Sequence, residues 1–155
     1  MRILSLSASH TSAIGRSLAR RMRGGEIILL SGPLGAGKTV VAKGIASGLG
    51  IDSNGVISPT FVLLRVYEGR IGLNHFDFYR IVGPEEIFAL GYEEYFYSEA
   101  ATLIEWPERL KFLLPKEYLK IKLVVGDKNK RRIIFEAKGK RYKELLKGFY
   151  EDIRD

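Results

Sequence analysis

Gly32-Pro33-Leu34-Gly35-Ala36-Gly37-Lys38-Thr39 satisfies the spacing G-x-x-x-x-G-K-[ST] at every fixed position. The glycines let the backbone fold back so that successive N–H groups point into one concavity, an anion nest. A helix starting near Lys38 aims the positive end of its dipole at the same point. Lys38 then reaches β- and γ-phosphates, and the Thr39 hydroxyl is placed to ligate Mg²⁺. At average residue frequencies chance produces such a match in roughly one chain of this length in two hundred. The flanks strengthen it. Glu26-Ile27-Ile28-Leu29-Leu30 is a short apolar run that reads as a buried strand, and Val40, Val41, Ile45 and Leu49 follow at helical spacing, with Gly48 and Gly50 as the stop. Strand, loop and helix therefore come in the order a phosphate-binding loop requires.

Outward from this unit, the 155-residue chain suffices for one domain with a real core. No apolar run approaches the roughly 20 residues of a membrane span, and the N-terminus lacks the basic start and apolar core of a secretion signal. The expectation is a cytoplasmic protein with no membrane contact. There are no cysteines, which excludes disulfides, zinc–thiolate sites, iron–sulfur clusters and thiol nucleophiles. Lys plus Arg total 25 against 18 Asp plus Glu, a net charge of +7. The excess gathers near the start, at Arg16 to Arg23, and after Lys111, while the acids concentrate in the middle. Such a surface suits nucleic acid or an acidic protein, and equally a merely solvated Lys-rich face.

Residues 2–7 alternate weakly, as an edge strand does. Ser9, His10 and Thr11 offer caps for a helix to about residue 23, with Ile14, Leu18, Ala19 and Met22 as its apolar stripe. Residues 51–59 form a loop that leads to Ser58-Pro59-Thr60. A threonine there reads either as part of a Ser-Pro turn or as a switch hydroxyl near Mg²⁺ and the γ-phosphate. Residues 61–67 and 71–79 read as a hairpin around Glu68-Gly69-Arg70, placing Asp77 among aromatics. A buried Asp needs a partner: Arg80 as a local ion pair, or a Mg²⁺–nucleotide site. Pro84 and Glu85-Glu86 open a helix that Gly91 closes. Ala100-Ala101-Thr102-Leu103-Ile104-Glu105 is an unbroken small and apolar run, the pattern of a strand covered on both faces. It ends in an acid, and in phosphate-loop folds an acid at that strand end holds Mg²⁺. Residues 118–125 and 131–137 form a second hairpin, and about 140–152 a terminal helix. The whole reads as a single α/β domain, 1–155, of P-loop NTPase type, with a mixed, mostly parallel sheet flanked by helices. Asn129-Lys130 leads into Arg131 and Arg132, so the Asn-Lys-x-Asp reader of guanine is missing, which favours ATP. A small kinase of a metabolite or nucleoside is the alternative function, although no arginine-bearing lid is evident.

Five segments occurring in order carry a resemblance: Gly32 to Thr39, Ser58-Pro-Thr-Phe61, His75-Phe-Asp-Phe-Tyr-Arg80, Pro84-Glu-Glu86 before Gly91, and Leu103-Ile-Glu-Trp-Pro-Glu108. Together they resemble the TsaE (YjeE) family, over about residues 9–137. The resemblance implies a slow ATPase that needs ATP and Mg²⁺. It would work with the TsaB–TsaD complex in threonylcarbamoyladenosine modification of tRNA, touching tRNA mainly through those partners. It further implies that Gly35, Ala36, Gly37, Lys38, Thr39 and Val40 wrap the phosphates and that Thr39 and Glu105 hold the metal. Asp77 acts near the γ-phosphate or its water, beside Lys38, and Thr60 is switch-like. Thr11, Trp106 and one of Arg131 and Arg132 lie close to the nucleotide. The family commonly has an acid where Pro33 stands and Leu where Phe78 stands; neither residue is a proposed ligand.

Overall fold

The computed structural model describes residues 1–155. In chain order the elements are β1 (Arg2–Ser5), α1 (Ala8–Arg20), β2 (Ile27–Ser31), α2 (Lys38–Gly48), β3 (Leu64–Tyr67), β4 (Leu73–Asp77), α3 (Pro84–Ala89), α4 (Tyr92–Phe96), β5 (Ala101–Glu105), β6 (Tyr118–Val125), β7 (Arg131–Lys138) and α5 (Lys140–Arg154), with short 3₁₀ turns at Ser53–Gly55 and Pro107–Leu113. The strands form one sheet in the order β1-β7-β6-β2-β5-β4-β3. The central junctions β6–β2, β2–β5 and β5–β4 are parallel. The outer ones, β1–β7, β7–β6 and β4–β3, are antiparallel. Burial explains this division. Every residue of β2, β4 and β5 is buried, as parallel strands covered on both faces require. β6 and β7 alternate buried Leu119, Ile121, Leu123, Ile133 and Phe135 with more exposed neighbours, among them Lys120, Lys122, Arg132 and Glu136.

One face of the sheet is covered by α1, α2 and α5 through Leu18, Met22, Ile45, Leu49 and Phe149. The other carries α3, α4 and the 3₁₀ turn around Phe76, Phe78, Phe96 and Leu110. Helices α1 and α2 lie almost backbone to backbone: a Cβ on Gly44 would strike the Ser12 carbonyl, and one on Gly48 would meet the Arg16 carbonyl at 2.5 Å.

Several boundaries shift from the sequence expectation for visible reasons. Helix α1 starts at Ala8, because the Ser7 hydroxyl accepts from His10 N–H at 3.1 Å and caps it. Strand β3 starts at Leu64, not Phe61, because Leu63 sits at φ 67 and donates its N–H back to Pro59. Strand β4 ends at Asp77, whose Oδ1 accepts the Tyr79 N–H at 2.9 Å and turns the chain.

Candidate functional site

The carboxyl ends of β2, β5 and β4 converge on one cleft, of about 280 Å³, walled by Gly35, Gly37, Lys38, Thr39, Thr60 and Trp106 and floored by Asp77 and Glu105. Its rim is the loop between β2 and α2. Gly35 and Gly37 have φ of 76° and 104°, conformations that favour glycine, and a Cβ on either would meet no atom within 4 Å. That open space lies at the N-terminus of the 11-residue α2, where backbone amides can hold an anion. Lys38 is buried, and its Nζ donates to the carbonyls of Gly32 at 2.7 Å and Pro33 at 2.9 Å. Burial lowers its pKa from the ordinary lysine value, against the opposing fields of Glu105, Asp77 and Glu108.

Asp77 and Glu105 are neighbours across the parallel β4–β5 ladder, so both point to the face that carries α2. Both are buried. Asp77 Oδ2 accepts from Ser58 Oγ at 2.7 Å and Thr60 Oγ1 at 2.8 Å. Ser58 Oγ also lies 3.1 Å from Glu105 Oε2, but one hydroxyl hydrogen serves one carboxylate at a time. No lysine or arginine forms an ion pair with either acid. The expected alternative of Asp77 paired with Arg80 does not occur: the Arg80 guanidinium stacks on Phe61, 4.1 Å from the ring centroid. Two buried carboxylates side by side, short of positive charge and flanked by hydroxyls, form a hard-oxygen donor set that suits a divalent cation such as Mg²⁺.

Trp106 follows Glu105 directly, at φ 58, a left-handed backbone uncommon for a bulky residue. The turn lays its indole along the cleft wall, 4.7 Å from Lys38 Nζ and 5.0 Å from the Tyr79 ring.

Five further expected residues stand differently. Ala36 is buried, outside the cleft lining. Val40 is half-buried on α2, outside the cleft lining. Thr11 is buried and bonded to Ser5 Oγ at 2.7 Å, also outside the lining. Arg132 is exposed, on the far face of β7, while Arg131 reaches the loop, its Nε donating to the Ala36 carbonyl at 2.9 Å. Alternation contained that answer, since Arg131 shares the inward face of Ile133 and Phe135. Ser58 was missed as a site residue. Its signal was Pro59, which pushes the preceding residue to an extended backbone and sets the Ser58 and Thr60 hydroxyls on one side.

Residues 5–133 match the family described as Threonylcarbamoyl adenosine biosynthesis protein TsaE. A Treponema pallidum protein named tRNA threonylcarbamoyladenosine biosynthesis protein TsaE is 42% identical over 131 residues, 84% of this chain and 96% of its own length. The protein of the same name from Bacillus subtilis is 38% identical over 141 residues, covering 90% and 87%. The crystal structure of Bacillus subtilis YdiB superposes with a TM-score of 0.85 at 32% identity, over 98% of this chain and 95% of that one.

Proposed function

The chain belongs to the TsaE family, and from that membership we propose that it is a Mg²⁺-dependent ATPase of the cytoplasm. It serves threonylcarbamoyladenosine modification of tRNA together with TsaB and TsaD, and is not itself the transferase. The observation that carries this reading is the pairing of an open phosphate cradle with two unneutralised buried carboxylates beneath it.

In this reading the amides of Gly35 to Thr39 hold the phosphates. Lys38, whose ammonium now caps two loop carbonyls, supplies point charge to the β- and γ-phosphates. Thr39 Oγ1 and Glu105 hold the metal. When bound, Mg²⁺ neutralises the charge that builds on the phosphate oxygens. The contacts of Glu105 with His75 and with Ser58 both fall on Oε2, which leaves Oε1 for the cation. Asp77 already receives Ser58, Thr60 and the Tyr79 amide. It is therefore better placed to orient water near the γ-phosphate than to ligate metal directly. Ser58 and Thr60 tie residues 58–60 to that carboxylate, so arrival of a γ-phosphate changes what the segment is bonded to, as in a switch loop. Trp106 screens one side of the cleft from water. Arg131 braces the loop at Ala36.

The test is phosphate release from ATP by the purified chain, alone and with TsaB and TsaD, with modified tRNA scored in the same reactions. The proposal expects partner-stimulated hydrolysis and repeated modification only when this chain and its Lys38 are intact. Phosphate transferred to a metabolite, or modification without the chain, overturns it in favour of a kinase.

A further inference from the structure

His75 is fully buried on β4, and the roles above leave it unassigned. Its Nε2 lies 3.2 Å from Glu105 Oε2. A carboxylate only accepts hydrogen bonds, so the ring nitrogen that faces it carries the hydrogen and donates. The other ring nitrogen, Nδ1, is buried with no partner. One other buried side-chain polar atom in the chain lacks a partner, Arg65 Nε. Arg65 stands directly opposite His75 in the β3–β4 ladder, and side chains at opposed positions of an antiparallel pair share one face of the sheet. A guanidinium N–H and a ring nitrogen are thus orphaned at facing positions, one step behind Glu105. Buried polar groups are ordinarily satisfied, so two orphans set opposite each other call for a common explanation.

We propose that His75 is a positioning residue for the metal ligand. It holds Glu105 by Oε2 and so presents Oε1 to Mg²⁺, while Arg65, on the edge strand, stands beside the ring on the same face of the sheet. The inference rests on Glu105 being the Mg²⁺ ligand, as proposed above. Its physical content is rotamer restriction. A carboxylate held at one oxygen has fewer orientations to give up when the other meets a cation, and partners of this kind typically change metal affinity by about 10–100-fold.

The experiment reads Mg²⁺ affinity apart from turnover. ADP is the nucleotide, and the signal is the fluorescence of Trp106, the one tryptophan and part of the cleft wall. Each protein is titrated with ADP in EDTA, then with MgCl₂ at saturating ADP. His75→Leu is expected to lose about 10–100-fold in Mg²⁺ affinity while its ADP affinity in EDTA stays that of the wild type. His75→Gln, whose amide N–H reaches the place of Nε2, restores Mg²⁺ binding. Arg65→Met, which keeps the apolar stem, weakens Mg²⁺ binding in the same direction and adds nothing to His75→Leu. Wild-type Mg²⁺ affinity in a folded His75→Leu overturns the proposal. So does a loss shared equally by Mg²⁺ binding and metal-free ADP binding, which marks a structural histidine. If the Leu variant does not fold, Gln and Asn decide. Asn places its amide where Nδ1 stands, and Mg²⁺ binding by Gln no tighter than by Asn overturns the assignment. Glu105→Ala keeps the two readings apart. Mg²⁺ dependence that survives in Glu105→Ala removes the metal assignment itself, whereas dependence lost there but kept in His75→Leu removes only the positioning role.

Discussion

At the scale of single residues, the cleft holds two buried carboxylates in different hydrogen-bonding states. Asp77 and Glu105 both end buried strands and both lie beneath the phosphate loop. Their hydrogen bonds divide them: Asp77 is engaged at both oxygens, Glu105 at one. Distinct failures are expected on the proposed reading. Lys38→Ala removes charged hydrogen bonds to phosphate and weakens ATP binding by about 1.5–3 kcal/mol, roughly 10–100-fold, with or without metal. Glu105→Ala leaves metal-free nucleotide affinity in place and abolishes its enhancement by Mg²⁺; paired titrations in EDTA and MgCl₂ distinguish the two. Asp77→Asn preserves the shape of the hydrogen-bonded cluster but lacks the charge. It should still bind Mg²⁺–ATP and lose about a hundredfold or more in turnover, measured as single-turnover phosphate release with the partners present. Lysine chemistry is legible in sequence because the loop spacing is local. Asp77 was not, because its alternatives, Arg80 and a metal, differ only in which way side chains turn in three dimensions.

Between elements, the α1–α2 crossing and the docking of α5 set the rigidity behind the loop. The crossing is close because Gly44 and Gly48 present no side chain to the Ser12 and Arg16 carbonyls. Gly44→Ala is expected to cost about 2 kcal/mol through overpacking, a drop in Tm of roughly 4–8 °C, readable by thermal unfolding. Helix α5 is held at its first turn by Tyr142, whose hydroxyl accepts the Ile27 N–H at 2.8 Å at the start of β2. It is held at its far end by Asp152, paired with Arg21 of the α1 C-terminus at 2.7 Å. Burial raises the Tyr142 pKa from the ordinary tyrosine value. The folded state therefore disfavours the phenolate, and the contribution of this residue to stability is whole below the ordinary value and declines as pH rises through and beyond it. Tyr142→Phe orphans the Ile27 amide and should lose about 1–2 kcal/mol at neutral pH, together with part of the alkaline fall in stability; urea unfolding at neutral and alkaline pH tests both. The element types here were readable, since two-sided apolar runs mark β2 and β5 and the 3.6-residue stripe marks α1 and α5. Their ends were not, because Ser7, Leu63 and Asp77 stop or start elements through individual hydrogen bonds and backbone angles.

For the molecule as a whole, ligand binding and folding are linked on the proposed reading, because the cleft is built from the ends of β2, β4 and β5 and exists only when the sheet is assembled. Mg²⁺–ATP at a hundred times its Kd should add about 2.7 kcal/mol to stability, roughly 5–10 °C in Tm for a chain of this size. The same addition to Lys38→Ala at that concentration should give a much smaller shift; calorimetry of both proteins checks it. The amino-acid sequence alone determined the phosphate loop, the α/β class, the doubly buried central strands and the family, because each rests on local spacing or on motifs in fixed order. Tertiary structure alone decided the strand order, the hold of Ser58 and Thr60 on Asp77, and the orphaned pair behind Glu105. These depend on which residues of distant strands fall into register, and register is set by the packing of the whole sheet.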